Sequence, residues 1–379
     1  MAARPAEDAD SWRVKARQFA ERELMPRATE IDRTDRLPET LARSLAVEGF
    51  LGLGIPRAWG GQGGDARATA AVLEELARGC PAVAVELAVH LSVCAHPILD
   101  AGTDAQRQRY LGPLARGELL GAFALSEPGS GSDAAALRTF YRRTSDGFEL
   151  SGAKMFISNA ASAGLVLLFA TRDASAGAGG ISAFLVPPST PGFTVQQRLP
   201  KLGLRGSETM ELVLREVRLP SDALLGPEGE GFKIALRALT GGRVGIASCA
   251  LGTARAAFEE MRRAVRGSDA EWKRHALARA YAELEGAAAV VADAARRKDA
   301  GEEFALAASV AKLLASRAAV SIASAAVDVA GESGTVVGAA AERLLRDARV
   351  FPIVEGTSEI QELVIARSLL SAGPDERTV

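Results

Sequence analysis

The sequence has little cysteine, little histidine and almost no net charge, and each shortage removes a class of protein. Cys80, Cys94 and Cys249 are its only cysteines; their spacing fits neither a disulfide framework nor a zinc site, so they read as core packing in a reducing compartment. His90, His96 and His275 are scattered without ligand spacing and read as packing or surface residues, so no metal is expected. With 45 Lys and Arg against 47 Asp and Glu the net charge is -2, which recruits neither nucleic acid nor an anionic membrane. No stretch reaches the roughly 18 uninterrupted apolar residues of a membrane span, and the charged start MAARPAEDADSWRVKARQFAERE has no signal-peptide core. The expected location is cytoplasmic, without membrane insertion.

What is present is a chain of 379 residues, 48% hydrophobic and 24% charged, enough for a large core. Residues 1–118 show apolar residues at helical spacing, as in ARATAAVLEELARG and DAQRQRYLGPLARGE. Residues 119–227 change to short strand-like runs such as GFELSGAKMFISNA, AGLVLLFATRD and TMELVLREVRLP, with the glycine-rich AGAGG reading as a hairpin connection. It is no phosphate loop, since no helix with Lys-Ser or Lys-Thr follows. From 228 to 379 long Ala-rich helical stretches return; alanine favours helix and lets axes approach, which predicts a bundle. The tail after Leu370, SAGPDERTV, reads as polar and loose.

Two stretches carry candidate chemistry on their own residues. FALSEPGSGSD (123–133) places small residues and hydroxyls in a turn leaving a strand, where glycine lets backbone N–H groups approach a flat or anionic ligand; a solvated surface turn is the competing reading. FPIVEGTSEI (351–360) sets Glu355 directly after Ile353 and Val354, as an exposed charge at a turn, a helix cap, or a base held in an apolar pocket.

These stretches, with GAKMFISNA (152–160), KLGLRGSETMELVLREVRLP (201–220) and LTGGRVGIASCALGTA (239–254), resemble in order the motifs of the acyl-CoA dehydrogenase family over nearly the whole chain. The resemblance implies an α+β multi-domain fold: an N-terminal helical domain, a central β-barrel-like domain and a C-terminal four-helix bundle. It implies FAD, with Leu125, Ser126, Gly131, Ser132, Phe156, Ser158, Thr357 and Glu359 on the cofactor side, and with Ser132 and Arg243 also toward the substrate. Phe156 stands where the family has Trp, and Ser158 where it has Thr. Glu355 matches the catalytic base, which takes the α-proton of an acyl thioester as a hydride leaves the β-carbon for the flavin. The family's alternative base position, immediately before Arg243, is Gly242 here. The partners implied are an acyl-CoA or acyl-carrier-protein thioester, an electron-transferring flavoprotein or similar acceptor, and further copies of the chain in a tetramer or dimer.

Three departures qualify this. The family's Arg-x-x-Phe-Gly reads EEMRRAVRGSDAEW, leaving Arg262, Arg263 or Arg266 to supply the charge. Its Gln-x-x-Gly-Gly-x-Gly reads DVAGESG, with Asp328 and Glu332 new and Gly331 and Gly334 kept. The Asp three residues before the arginine is Thr240. The main expectation is acyl-CoA dehydrogenation of the short-chain or branched-chain kind. Acyl or aminoacyl groups on a carrier protein are the alternative substrate, and a flavin-free scaffold is the alternative of another class.

Overall fold

The computed structural model describes residues 8–371, so most of the polar tail lies outside the described residues. Seven helices come first: α1 (Ala9–Phe19), α2 (Ala28–Thr34), α3 (Leu41–Val47), α4 (Ala66–Gly79), α5 (Pro81–Ala88), α6 (His96–Ala101) and α7 (Asp104–Ala115). Their starts are written locally. Asp65 caps α4 by accepting from the Ala68 N–H at 2.7 Å, α5 opens on Pro81, and Thr103 with Gln106 forms a capping box on α7. Buried Glu75 of α4 accepts from Arg17 of α1 at 2.7 Å and from Arg78 at 3.1 Å, which ties α1 to α4. Between α5 and α6 the chain widens into a buried π-helical segment, Val89–Ala95.

Eight strands follow: β1 (Gly121–Ala124), β2 (Phe140–Arg143), β3 (Gly147–Ser158), β4 (Leu165–Thr171), β5 (Ile181–Val186), β6 (Phe193–Arg198), β7 (Thr209–Pro220) and β8 (Leu224–Leu225). They form one sheet in the order β6-β7-β3-β2-β4-β5-β8, with β1 added parallel to β4. The sheet encloses an aromatic and aliphatic core that includes Tyr141, Phe148, Phe184 and Leu212, but β6 and β8 are not paired among the described residues. It is barrel-like in what it wraps and open in its hydrogen bonding. AGAGG does connect an antiparallel pair, β4 and β5.

The C-terminal region has α8 (Gly231–Val265), α9 (Glu271–Asp299), α10 (Ala305–Ala330), α11 (Ala340–Ala348) and α12 (Ser358–Ser371). It is three long helices with two short ones packed on α10, in the helical region that was expected. The two helical regions share one hydrophobic cluster, which runs from Trp12, Phe19 and Leu73 through Ile246 and Leu251 to Ile322 and Phe351. Gly252 shows how closely α8 lies on α4, since a Cβ there would come 2.0 Å from the Glu74 carbonyl oxygen. Three stretches, Pro81–Ala101, Gly231–Val265 and Ala305–Gly334, are long and apolar enough by length and composition to cross a membrane. None is an uninterrupted apolar run in the sequence, because isolated charges such as Glu86, Arg243 and Lys312 break each one. Between 50% and 78% of their apolar windows is buried inside the protein, so helix packing accounts for most of that hydrophobicity.

Candidate active site

Glu355 lies in the turn between α11 and α12, with φ 51°, and Gly356 follows with φ 95°. Left-handed backbone at a glutamate is strained, and such strain persists where the surroundings over-determine it. What determines it here is contact with α8. A Cβ built on Gly242 would lie 2.1 Å from Glu355 Oε2 and 3.2 Å from Val93 Cγ1 of the π segment, so the carboxylate occupies the space that glycine leaves. Both carboxylate oxygens are buried without a hydrogen-bond partner. Burial pushes the Glu355 carboxyl up to about 7, while the charges of Lys312 and Arg243 hold it from rising further. The dry setting was expected from Ile353 and Val354. Val354 does pack on the core, but Ile353 is 62% exposed, and the cover comes from α8 and the π segment instead.

Arg243, expected toward the substrate, is buried beside the Glu355 carboxylate, and its Nη1 donates to Ser309 Oγ at 3.2 Å. Its place is that of a counter-charge. Lys312 of α10 was not singled out by the sequence. It is fully buried and its Nζ donates to the Gly356 carbonyl at 2.7 Å, while Gln361 Nε2 donates to the same oxygen at 3.0 Å. Thr357 sits at the start of α12, its Oγ1 accepting from the Ile360 N–H at 3.4 Å. Glu359 is exposed in the first turn, and a hydrogen bond from Thr357 keeps its carboxyl below the usual range.

The other candidate residues sit on the sheet. Leu125 is buried and Ser126 half-buried at the end of β1, and Met155 N donates to the Ser126 carbonyl at 3.0 Å, joining that loop to β3. Phe156 on β3 is 63% exposed with φ 62°. The Ser126 and Ser158 hydroxyls have no hydrogen-bond partner among the described residues, and Gly131 and Ser132 are exposed in the loop. A pair that the sequence reading passed over holds this region together. Lys154 Nζ donates to Glu127 Oε1 at 2.8 Å and to the Leu125 carbonyl at 3.1 Å, and Glu127 also accepts from the Arg138 and Thr139 N–H groups. Burial pushes the Glu127 carboxyl up, but Lys154 and these hydrogen bonds outweigh it and hold the group below its usual range. The visible signal was Glu127 inside FALSEPGSGSD and Lys154 as the one charge in GAKMFISNA. No hydrogen bond or ion pair among the described residues joins this group to the 355–359 turn.

Profiles of the acyl-CoA dehydrogenase N-terminal, middle and C-terminal domains match residues 6–118, 122–217 and 229–370. The chain belongs to the acyl-CoA dehydrogenase family. It is accordingly an FAD-dependent oxidoreductase acting on CH–CH bonds. It is 42% identical over 368 residues to the mitochondrial short-chain specific acyl-CoA dehydrogenase of Bos taurus, covering 95% of this chain and 89% of that one. Among solved structures it resembles butyryl-CoA dehydrogenase from Megasphaera elsdenii, with TM-score 0.94, 36% identity and coverage of 98% and 100%. A prolyl acyl carrier protein oxidase is also similar, with TM-score 0.92, 31% identity and coverage of 95% and 98%.

An exposed aromatic ring in strained backbone beside two unpartnered hydroxyls fits the flat, hydrogen-bonding flavin of this family. The departures from the family's motifs fall on the surface. Arg262, Arg263 and Arg266 are exposed, with Arg263 paired to Glu260 at 2.7 Å, and Asp328, Gly331 and Glu332 are exposed where α10 ends, while Gly334 is buried. Thr240 donates to the Leu236 carbonyl within α8 at 2.8 Å. A cavity of about 260 Å³ between the start of α4, the π segment, α8 and the end of α9 is lined by Gly241, Val244 and Gly245. That face of α8 adjoins the one bearing Gly242, and Glu355 is not among the lining residues. His90, by contrast, is buried and structural. It bridges the Leu51 carbonyl and the Gly121 N–H, and burial pushes it down to about 4.

Proposed function

We propose that this chain α,β-dehydrogenates a short acyl thioester, with Glu355 as the base. The observation that carries this is the carboxylate itself: buried, free of hydrogen bonds, raised to about 7 and seated on Gly242 between two cations. An α-proton is weakly acidic, so its acceptor needs a raised proton affinity and must still ionise near neutral pH. Burial supplies the first requirement, and Lys312 with Arg243 supplies the second. FAD, when bound, supplies the acceptor for the β-hydride. Phe156, Ser126 and Ser158 line the wall we assign to its ring, with Leu125, Gly131 and Ser132 in the adjoining loop and Thr357 and Glu359 on the side of the base. Short-chain specificity is supported by the similarity to the short-chain specific and butyryl-CoA dehydrogenases.

A homo-oligomer passing electrons to an electron-transferring flavoprotein in a reducing, cytoplasmic compartment completes the reading. The three cysteines, all free and buried, suit such a compartment. One feature favours carrier-protein substrates as the second reading. Thr240 replaces the acid associated with the CoA arm, and the similar prolyl acyl carrier protein oxidase acts on a carrier-bound group. A flavin-free scaffold has no comparable support, since the base and both motif loops are formed. The test is anaerobic bleaching of the bound flavin by butyryl-CoA and butyryl-acyl carrier protein. The parent should bleach and Glu355→Gln should slow by at least about a hundredfold, the lower range for losing a general base. Equal rates would remove Glu355 from the mechanism, and bleaching only by the carrier-protein thioester would select the second reading.

A further inference from the structure

Lysine is among the residues least often found fully buried, and desolvating an ammonium is costly unless something answers its charge. Lys312 stands fully buried on α10 with no carboxylate within 4 Å among the described residues, its Nζ on the Gly356 carbonyl at 2.7 Å. Holding that carbonyl does not by itself require a charge. Gln361, also fully buried, already donates to the same oxygen at 3.0 Å, and a neutral amide at position 312 could supply the second bond. The residue one step before that carbonyl is Glu355, whose oxygens receive no hydrogen bond, so only through-space charge can stabilise its ionised form.

We propose that Lys312 is a positioning residue for proton abstraction. Its ammonium grips the Gly356 carbonyl, and with it the left-handed turn that seats Glu355 on Gly242, and its charge makes the carboxylate available as a base. This rests on the reading of Glu355 as the base. The groups facing Glu355 are Arg243 and Cys249 from α8 and Lys312 from α10, and Glu359 of α12 faces Lys312. Arg243 is bonded to Ser309 and makes no hydrogen bond to the turn among the described residues, so of these cations Lys312 couples turn geometry to charge.

The sign follows from the chemistry. Burial raises Glu355 and Lys312 opposes that rise, so removing the ammonium raises the carboxyl further and demands a higher pH for the ionised base. Lys312→Gln keeps a donor for the carbonyl and loses only the charge. In the flavin-loaded enzyme the rising limb of bleaching rate against pH should move upward by roughly one unit. Below the limb this is about a tenfold loss, nearly recovered at high pH. Lys312→Arg should return the limb toward the parent. Gln361→Leu should lower the rate at every pH and leave the limb in place. Infrared difference titration of the Glu355 carboxyl in flavin-stripped protein, with Glu355→Gln as blank, should show the same displacement without turnover. A limb and a carboxyl titration unmoved in Lys312→Gln would overturn the proposal and leave a buried plug. If Glu355→Gln bleached like the parent, the base reading itself would fall, which separates the two failures. Should Lys312→Gln not retain flavin, the infrared titration decides alone.

Discussion

At the residue scale, Gly242 is the clearest case of a position fixed by its neighbour. The Glu355 carboxylate lies where a Cβ would go, so Gly242→Ala sets a methyl 2.1 Å from Oε2 and evicts the carboxylate from its seat. Alanine is a better helix former than glycine by about 1 kcal/mol, so α8 itself should survive. The expected outcome is native helix content by circular dichroism with flavin bleaching slowed by at least roughly tenfold, the cost expected of misplaced reacting groups. Full-rate bleaching would mean that the carboxylate works from another position. The sequence showed both partners, Glu355 by its motif and Gly242 by closing the alternative base position, but not that they touch. Contact between residues 113 apart in the chain cannot be read from spacing, and it gives the glycine a packing reason independent of any motif.

At the scale of elements, the loop after β1 and the strand β3 form one unit through Lys154 and Glu127. Both groups are buried, and removing one partner of such a pair leaves an uncompensated charge, at about 3 kcal/mol. Lys154→Met should lower the thermal midpoint and release flavin during gel filtration. It frees the Leu125 carbonyl and the Glu127 side chain that shape the Ser126 loop. A variant that melts like the parent and keeps its flavin would show that the pair does not organise the loop. Element types were largely legible, because the change from period 3.6 to alternation and back is strong at these lengths. Element partnerships were less so. Ile353 looked like the cover of Glu355 because it is adjacent in sequence, yet it is exposed; Gly242, which the carboxylate does pack on, sits on an element far away in the chain. Lys312 was hidden for the same reason, since a single lysine in ALAASVAKLLASRAAVSIASAAVDVA reads as a solvent-facing charge until the 355–359 turn is packed against it.

At the scale of the whole molecule, one continuous core unites the two helical regions and leaves α12 on the outside. Gln361 is the only buried residue of that helix, while Leu363 is 50% and Leu370 86% exposed, and Ile353 lies open shortly before its start. Val337, beyond the end of α10, is 87% exposed beside the altered DVAGESG segment. Apolar residues scattered singly need no explanation, but several on one helix are what the homo-oligomer proposed above would cover. A second copy of this chain is the occupant that the family resemblance predicts, and α12 begins at the end of the turn that carries Glu355. α12 is tied to α10 by the Arg317 and Glu362 ion pair and opens on Thr357, two residues from Glu355. Leu363→Glu together with Leu370→Glu should therefore shift sedimentation from the oligomer toward the single chain while helix content stays native, because neither side chain belongs to the core. If the oligomer also completes the flavin site, the same double variant should lose FAD on dilution and bleach slowly even at saturating acyl-CoA. An assembly unchanged by two charges would place the contact on another face. A single chain that keeps its flavin would show that the exposed residues of α12 serve assembly alone.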